Sequence, residues 1–320
     1  MWEVLETARF VAERSQLVKI DRLALSAFCD RIDAGKLGVP QWDSFHHYCG
    51  SKEETAFYLL VLDSINFCFW APSGKARWEI DHGSERLSGY FGLAVALKQA
   101  AESGSPIVNA DYLSQLTMDH LAGILGGRGA LPLMKERLEN LRELGNVLQR
   151  DFGGEAFNLI EAARGSALTL VRLMAAQLRS FQDVAEFDGR RVFLYKRGQL
   201  FAADLHGAFH GKGLGHFYDI DKLTAFADYK LPQVLRHAGI FQYVPALADK
   251  VDQRIRIEPG SPEEVEIRAN TIWAVELMRR ELERLGRQLK AFEIDWTLWN
   301  LGQEEEFRAK PYHRTMTIYY

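Results

Sequence analysis

The chain has 320 residues, 47% of them apolar, which is enough for a sizeable core and excludes a disordered chain. Its formal net charge of −4 gives no sign of the basic face that duplex nucleic-acid binders carry, and so favours a small ligand over a polyanion. Cys29, Cys49 and Cys68 are odd in number and lack C-x-x-C spacing, so no disulfide framework is indicated and a cytoplasmic location is expected. The opening residues carry Glu3 and Glu6 where a secretory signal would carry base, and no apolar core segment follows.

Helical periodicity dominates, with no internal repeat. It predicts helices over 3–15, 21–34, 53–70, 85–101, 113–125, 131–150, 155–163, 166–179, 193–208, 221–227, 232–238 and 262–291. The stretch from Thr55 to Ala71 is the most apolar. Asp63 and Asn66 near its middle make it a buried helix and not a membrane span. Ser261-Pro262-Glu263-Glu264 predicts a helix start, with Ser261 as cap, Pro262 at the first helical position and Glu264 completing a capping box. Strand signal is confined to a turn around Phe187–Val192 and to the β-branched, aromatic tail Thr315–Tyr320. Gly/Pro-rich breaks at 71–74, 126–129 and 211–215 are too short to be linkers. The expectation is a mostly α, compact fold with a few short strands: one unit over 1–320, with a soft division near 180.

Three segments carry polar groups where apolar ones dominate. If the 53–70 helix is continuous, Asp63, Asn66, Phe67 and Trp70 fall at i, i+3, i+4 and i+7 and share one face. An acceptor, an amide and two flat rings suit a heterocyclic base. A polar pair satisfied by neighbouring backbone fits the same spacing. Asp228 lies just before the helix that Pro232 helps to open and Gly239 closes, where the helix dipole favours a carboxylate. An ordinary helix-start Asp would look no different. Glu276 shares a face with Ala269, Ile272 and Trp273, where a carboxylate needs a partner: a substrate donor or an Arg of another helix. Lys196, between Tyr195 and Arg197, is either desolvated or directed outward to water.

Other patterns lead nowhere. His206 and His210 have i, i+4 spacing, but Gly207 stands where a zinc protease needs Glu. The Gly207–Gly213 run is one residue short of a phosphate-binding P-loop and lacks its hydroxyl residue, and there is no G-x-S-x-G elbow. Neither a metal nor a cofactor is expected.

Five stretches in order resemble the queuosine salvage protein family. They are Asn66-Phe67-Cys68-Phe69-Trp70; Tyr195-Lys196-Arg197; Leu223-Thr224-Ala225-Phe226-Ala227-Asp228-Tyr229; Glu264–Ala269 with Ile272–Glu276; and Pro311-Tyr312-His313-Arg314-Thr315. They run from residue 66 to the end of the sequence. Gly198 departs from the small-residue helix that follows Tyr-Lys-Arg in the family.

The resemblance implies a helical fold related to the helix-hairpin-helix DNA glycosylases. It also implies hydrolysis of queuosine 5′-monophosphate to queuine and ribose 5-phosphate. It makes Asp228 and Lys196 catalytic. Asp63, Asn66, Phe67, Trp70, Tyr229, Trp273 and Glu276 become candidates for recognising the base and its amine-bearing group. Tyr312, His313 and Arg314 become candidates for the 5′-phosphate, because Arg is a natural bidentate phosphate partner. The expected partner is this small molecule, handled by a monomer with no membrane and no stable nucleic acid. A glycosylase acting on a base within a polymer, or a non-catalytic binder of a modified nucleoside, would share the helical pattern.

Overall fold

Amphipathic spacing becomes helix along most of the chain. The computed structural model describes residues 2–33, 38–72 and 74–320. Residue 34, at the predicted end of the 21–34 helix, and Ser73, in the first predicted break, lie outside the described residues. In chain order the elements are α1 (Glu3–Ala12), β1 (Val18–Ile20), α2 (Arg22–Asp33), α3 (Lys52–Ser64), β2 (Glu79–His82), β3 (Glu85–Ser88), α4 (Gly89–Glu102), α5 (Ala110–Ser114), α6 (Met118–Leu125) and α7 (Met134–Phe152). There follow α8 (Ala156–Ala162), α9 (Ala167–Gln177), β4 (Val184–Phe187), β5 (Arg190–Phe193), α10 (Lys196–Ala208), α11 (Lys230–His237), β6 (Phe241–Tyr243), α12 (Pro245–Asp252), α13 (Pro262–Arg284) and α14 (Ala291–Leu301). The strands form three antiparallel pairs, β1–β6, β2–β3 and β4–β5, so the fold is mostly α with a few short strands.

Two apolar clusters make the core. One gathers residues of α1, α3 and α4–α10, such as Leu62, Leu97, Leu148 and Phe201. The other gathers residues of α2 and α11–α14, such as Phe28, Leu235, Met278 and Leu298. Helix α13 serves both: Val265, Ala269 and Ile272 face the first, and Ile267, Ala274 and Val275 face the second. Neither cluster is a continuous stretch of chain, because β1 pairs with β6, Val18 opposite Tyr243.

Several predicted elements differ in extent. The 53–70 helix ends at Ser64, so Asp63, Asn66, Phe67 and Trp70 do not share a helical face. The cause is a pair of buried arginines. Arg197 donates to the carbonyls of Asp63 (2.9 Å) and Ser64 (2.5 Å). Arg137 donates to those of Ile65, Phe67 (2.5 Å) and Cys68 (3.1 Å). These carbonyls are satisfied from outside, which frees the chain to leave the helix and to take positive φ (+46°) at Cys68. The 221–227 helix is replaced by a short 3₁₀ turn at Ile220–Lys222 and an extended segment. Side chains hold its backbone: Gln199 accepts from Thr224 N–H (2.9 Å) and Asp295 from Phe226 N–H (2.7 Å).

The predicted 85–101 helix gives its first residues to β3, and 113–125 divides where Thr117 caps α6. The 262–291 helix ends at Arg284, before Gly286 at φ +89°, and α12 and α14 were not predicted. Ser261 caps α13, but the box is incomplete: Glu264 takes Gly260 N–H at 2.7 Å. The Phe187–Val192 turn is the β4–β5 hairpin, whereas the Thr315–Tyr320 tail joins no strand.

Arg137 is fully buried, and its hydrogen-bond partners are carbonyls: the three above and that of Pro132. Replacing it with Met should strand four acceptors and cost about 3–5 kcal/mol of folding free energy. Urea denaturation of the two proteins measures this.

Candidate active site

The segment after α3, the start of α4, α10, the 226–230 segment and α14 enclose one cavity. Asn66, Phe67, Phe69, Arg77, Lys196, Asp204, Phe226, Asp228, Tyr229, Lys230, Asp295 and Tyr320 line it. Trp42, His47, Tyr90, Phe91, Trp296 and Trp299 form an aromatic wall. The wall is braced edge-on: Trp299 stands 5.6 Å from Tyr90 and 5.4 Å from Phe91, centroid to centroid.

Asp228 is held by the start of α11. Its Oδ1 accepts from the backbone N–H of Lys230 (2.7 Å) and Leu231 (3.0 Å), as a residue before a helix N-terminus can. Burial pushes its pKa up; the Lys196 ammonium and the two backbone N–H groups push it back down. Lys196 begins α10 and is 6% exposed, so it is desolvated and does not reach outward to water. Burial lowers its pKa, and Asp228 and Asp63 oppose the shift. Its Nζ donates to the Asn66 carbonyl at 3.4 Å.

The frame behind these two residues is shared. Asp183 accepts the Lys196 backbone N–H at 3.0 Å and is gripped by both terminal nitrogens of Arg268, at 2.8 and 2.6 Å. Arg268 Nε donates to the Ala227 carbonyl, next to Asp228, at 3.0 Å. One buried ion pair thus fixes the backbones of both residues.

Of the other sequence candidates, Asn66, Phe67 and Tyr229 line the cavity. Asp63 lies just behind, fully buried, with Oδ1 3.5 Å from the Asn66 amide; burial raises its pKa to about 7. Trp70 is turned away because the chain has left the helix. Arg256 and Arg314 lie over its ring, and Phe69 faces the cavity instead. Glu276 meets arginines of its own helix, Arg279 (2.9 Å) and Arg280 (2.7 Å), outside the cavity. Trp273 lies beneath Arg9 and Arg280 and is likewise outside.

Tyr312, His313 and Arg314 do not line the cavity either. Tyr312 backs Tyr229 at 4.8 Å. His313 is buried against the Tyr320 hydroxyl (3.1 Å), and burial drops its pKa to about 3, so it is uncharged. The cavity cations besides Lys196 are Arg77 and Lys230, which lie close enough to influence each other. Lys230 is depressed to about 8 by burial, against the pull of Asp228.

Sequence reading missed Arg77, Lys230, Asp204 and Asp295. Asp204 had a legible signal: Lys196, Leu200 and Asp204 recur at i, i+4 and i+8 on α10, and all three line the cavity. Among the described residues, no three His, Cys, Asp or Glu side chains are placed to hold a metal ion, and no helix is long and apolar enough to cross a membrane.

Comparison with known proteins gives this geometry a family. Residues 46–320 match the model of the family described as queuosine salvage protein. A Sphaerobacter thermophilus protein named queuosine 5′-phosphate N-glycosylase/hydrolase is 46% identical over 317 residues, covering 99% of this chain and 97% of the relative. Proteins of the same name from Dictyostelium discoideum and Mus musculus are 38% and 35% identical over 330 residues, each covering at least 98% of both chains. The chain belongs to the queuosine salvage protein family.

Proposed function

We propose that the protein is an N-glycosidase that hydrolyses queuosine 5′-monophosphate, releasing queuine and ribose 5-phosphate. One observation carries the reading beyond the relatives' name: a backbone-anchored carboxylate, Asp228, and a desolvated ammonium, Lys196, face one aromatic-walled cavity. Asn66, Phe67 and the ring wall suit a flat 7-deazaguanine base, with Asp63 behind them orienting the Asn66 amide. The scaffold is read as related to the helix-hairpin-helix DNA glycosylases. The 320 residues are read as one working unit, which the sharing of α13 by both core clusters supports. The three unpaired cysteines fit a reducing compartment.

Breaking the bond from C1′ to the base builds positive charge on the ribose. Asp228 as carboxylate stabilises that charge and takes a proton from the attacking water. Its two backbone donors and Lys196 keep the ionised form available despite burial. Lys196 also fixes the Asn66 carbonyl, linking the charge centre to the base-facing segment. For the 5′-phosphate, Arg77 and Lys230 are the better-placed cations, with Tyr312 supporting them from behind Tyr229.

Asp228→Asn should lower kcat by about 10²–10⁴-fold while leaving the melting temperature close to wild type. Chromatographic detection of free queuine reads this, and near-normal turnover would sink the assignment. Because the base must be ionised and its pKa is raised, wild-type activity should fall on the acid side at a pH above 3.8, the ordinary Asp value. The monophosphate should be cleaved faster than the nucleoside. Arg77→Ala should raise KM for the nucleotide by about 10- to 100-fold, as loss of a charged hydrogen bond does, and leave nucleoside kinetics unchanged. Equal kinetics on both substrates would remove the phosphate site.

A further inference from the structure

Asp204 lines the cavity from α10 and is 2% exposed. Its hydrogen-bonding neighbour is the Tyr90 hydroxyl, 3.4 Å from Oδ2. That hydroxyl has a single proton, and the geometry assigns it elsewhere. His47 Nδ1 lies 2.5 Å from the Asp43 carbonyl oxygen, which can only accept, so Nδ1 carries a hydrogen. Burial keeps the imidazole neutral, which leaves Nε2 bare. Nε2 lies 2.8 Å from the Tyr90 oxygen and takes its proton. Tyr90 therefore presents lone pairs to Asp204. Two acceptors would oppose each other unless the Asp204 carboxyl carries the proton and donates it.

The surrounding charges agree. Asp204 is faced by Asp63 and Tyr58 of α3, Tyr90 of α4, Lys196 of its own helix and Asp295 of α14. Burial and the Asp63 charge push its pKa well above the carboxylate range, against Lys196. Of the neighbouring carboxyls, Asp228 accepts two backbone N–H bonds, whereas Asp295 accepts one and burial still pushes its pKa well up.

We infer that Asp204 is a general acid, held neutral and facing the cavity, that protonates the base as it leaves. This rests on the N-glycosidase reading above. A 7-deazaguanine has carbon where a purine has its basic ring nitrogen, so protonation cannot be placed there, and the unprotonated leaving group is a strong base. As the C1′–N bond breaks, its electron pair goes to the ring nitrogen and the Asp204 proton goes to the base. The water oxygen bonds to C1′, and the proton it sheds goes to Asp228. Asp204 ends ionised and Asp228 protonated. Solvent then takes one proton from Asp228 and returns one to Asp204, and nothing is oxidised or reduced.

The test compares wild type, Asp204→Asn and Asp204→Glu on two substrates. These are queuosine 5′-monophosphate and 4-nitrophenyl ribofuranoside 5-phosphate, whose nitrophenolate leaves without a proton. Asp204→Asn should lose about 10²–10⁴-fold in kcat on the nucleotide but stay within about threefold of wild type on the aryl substrate. Wild-type kcat on the nucleotide should fall at alkaline pH as Asp204 ionises. That limb should be absent from the residual Asn activity, and the Glu variant should regain part of the rate with the limb displaced. Equal losses on both substrates, near-normal nucleotide turnover in Asp204→Asn, or a limb unaltered in both variants would overturn the assignment. Should the Asn variant not fold, the wild-type and Glu limbs decide. Absence of base release by wild type would instead strike the N-glycosidase reading itself.

Discussion

One buried ammonium among four buried carboxyls is the constraint around which this molecule is arranged. Lys196 feels Asp228, Asp63 and Asp295 directly, and it opposes the upward push of burial on Asp204. Five such groups cannot all be charged in a poorly solvated space, since one cation cannot compensate four anions. The molecule must therefore distribute protons among the carboxyls. Two backbone donors favour the anion at Asp228, whereas burial holds Asp204 and Asp295 well above the carboxylate range.

That distribution requires the charged groups to be held in place, and the supports are themselves buried ions. Arg268 and Asp183 form a bidentate pair that reaches the Lys196 amide on one side and the Ala227 carbonyl on the other. Arg137 and Arg197 do a different task with carbonyl partners. They end α3, and both lie over the Phe67 ring, at 4.3 and 5.2 Å, as it faces the cavity. A guanidinium suits both tasks because its donors form a rigid planar fork.

The helices were legible because their apolar faces are local patterns. So was the placement of Asp228, since Pro232 and Gly239 bracket the helix it precedes. The end of α3 was not. The sequence from Phe57 to Trp70 is apolar at nearly every position, and what stops the helix is two arginines that enter from residues 137 and 197. That single misreading carried Trp70 into the site and left Phe69 out. Glu276 shows the opposite failure: its partners Arg279 and Arg280 stand three and four residues away, a local solution that the apolar stripe obscured. Asp295 and Trp299 went unnoticed because no helix was expected after residue 291, where α14 lies.

The two carboxyls that matter most share a low-dielectric surrounding of Phe226, Tyr90, Trp296 and Trp299, yet they are set up for opposite tasks. Burial alone would protonate both. Asp228 escapes because the opening turn of α11 aims two N–H groups at one of its oxygens. Asp204 has no such turn; its neighbour is a tyrosine whose proton is already engaged by His47. The difference between the proposed base and the proposed acid is thus backbone against side chain, a helix start against an interior helix position. Environments that drive two carboxyl pKa values apart are what a neutral-pH glycosidase needs. Here one end of that separation comes from the opening turn of α11, and the other from Tyr90 of α4 and His47 of the segment before α3.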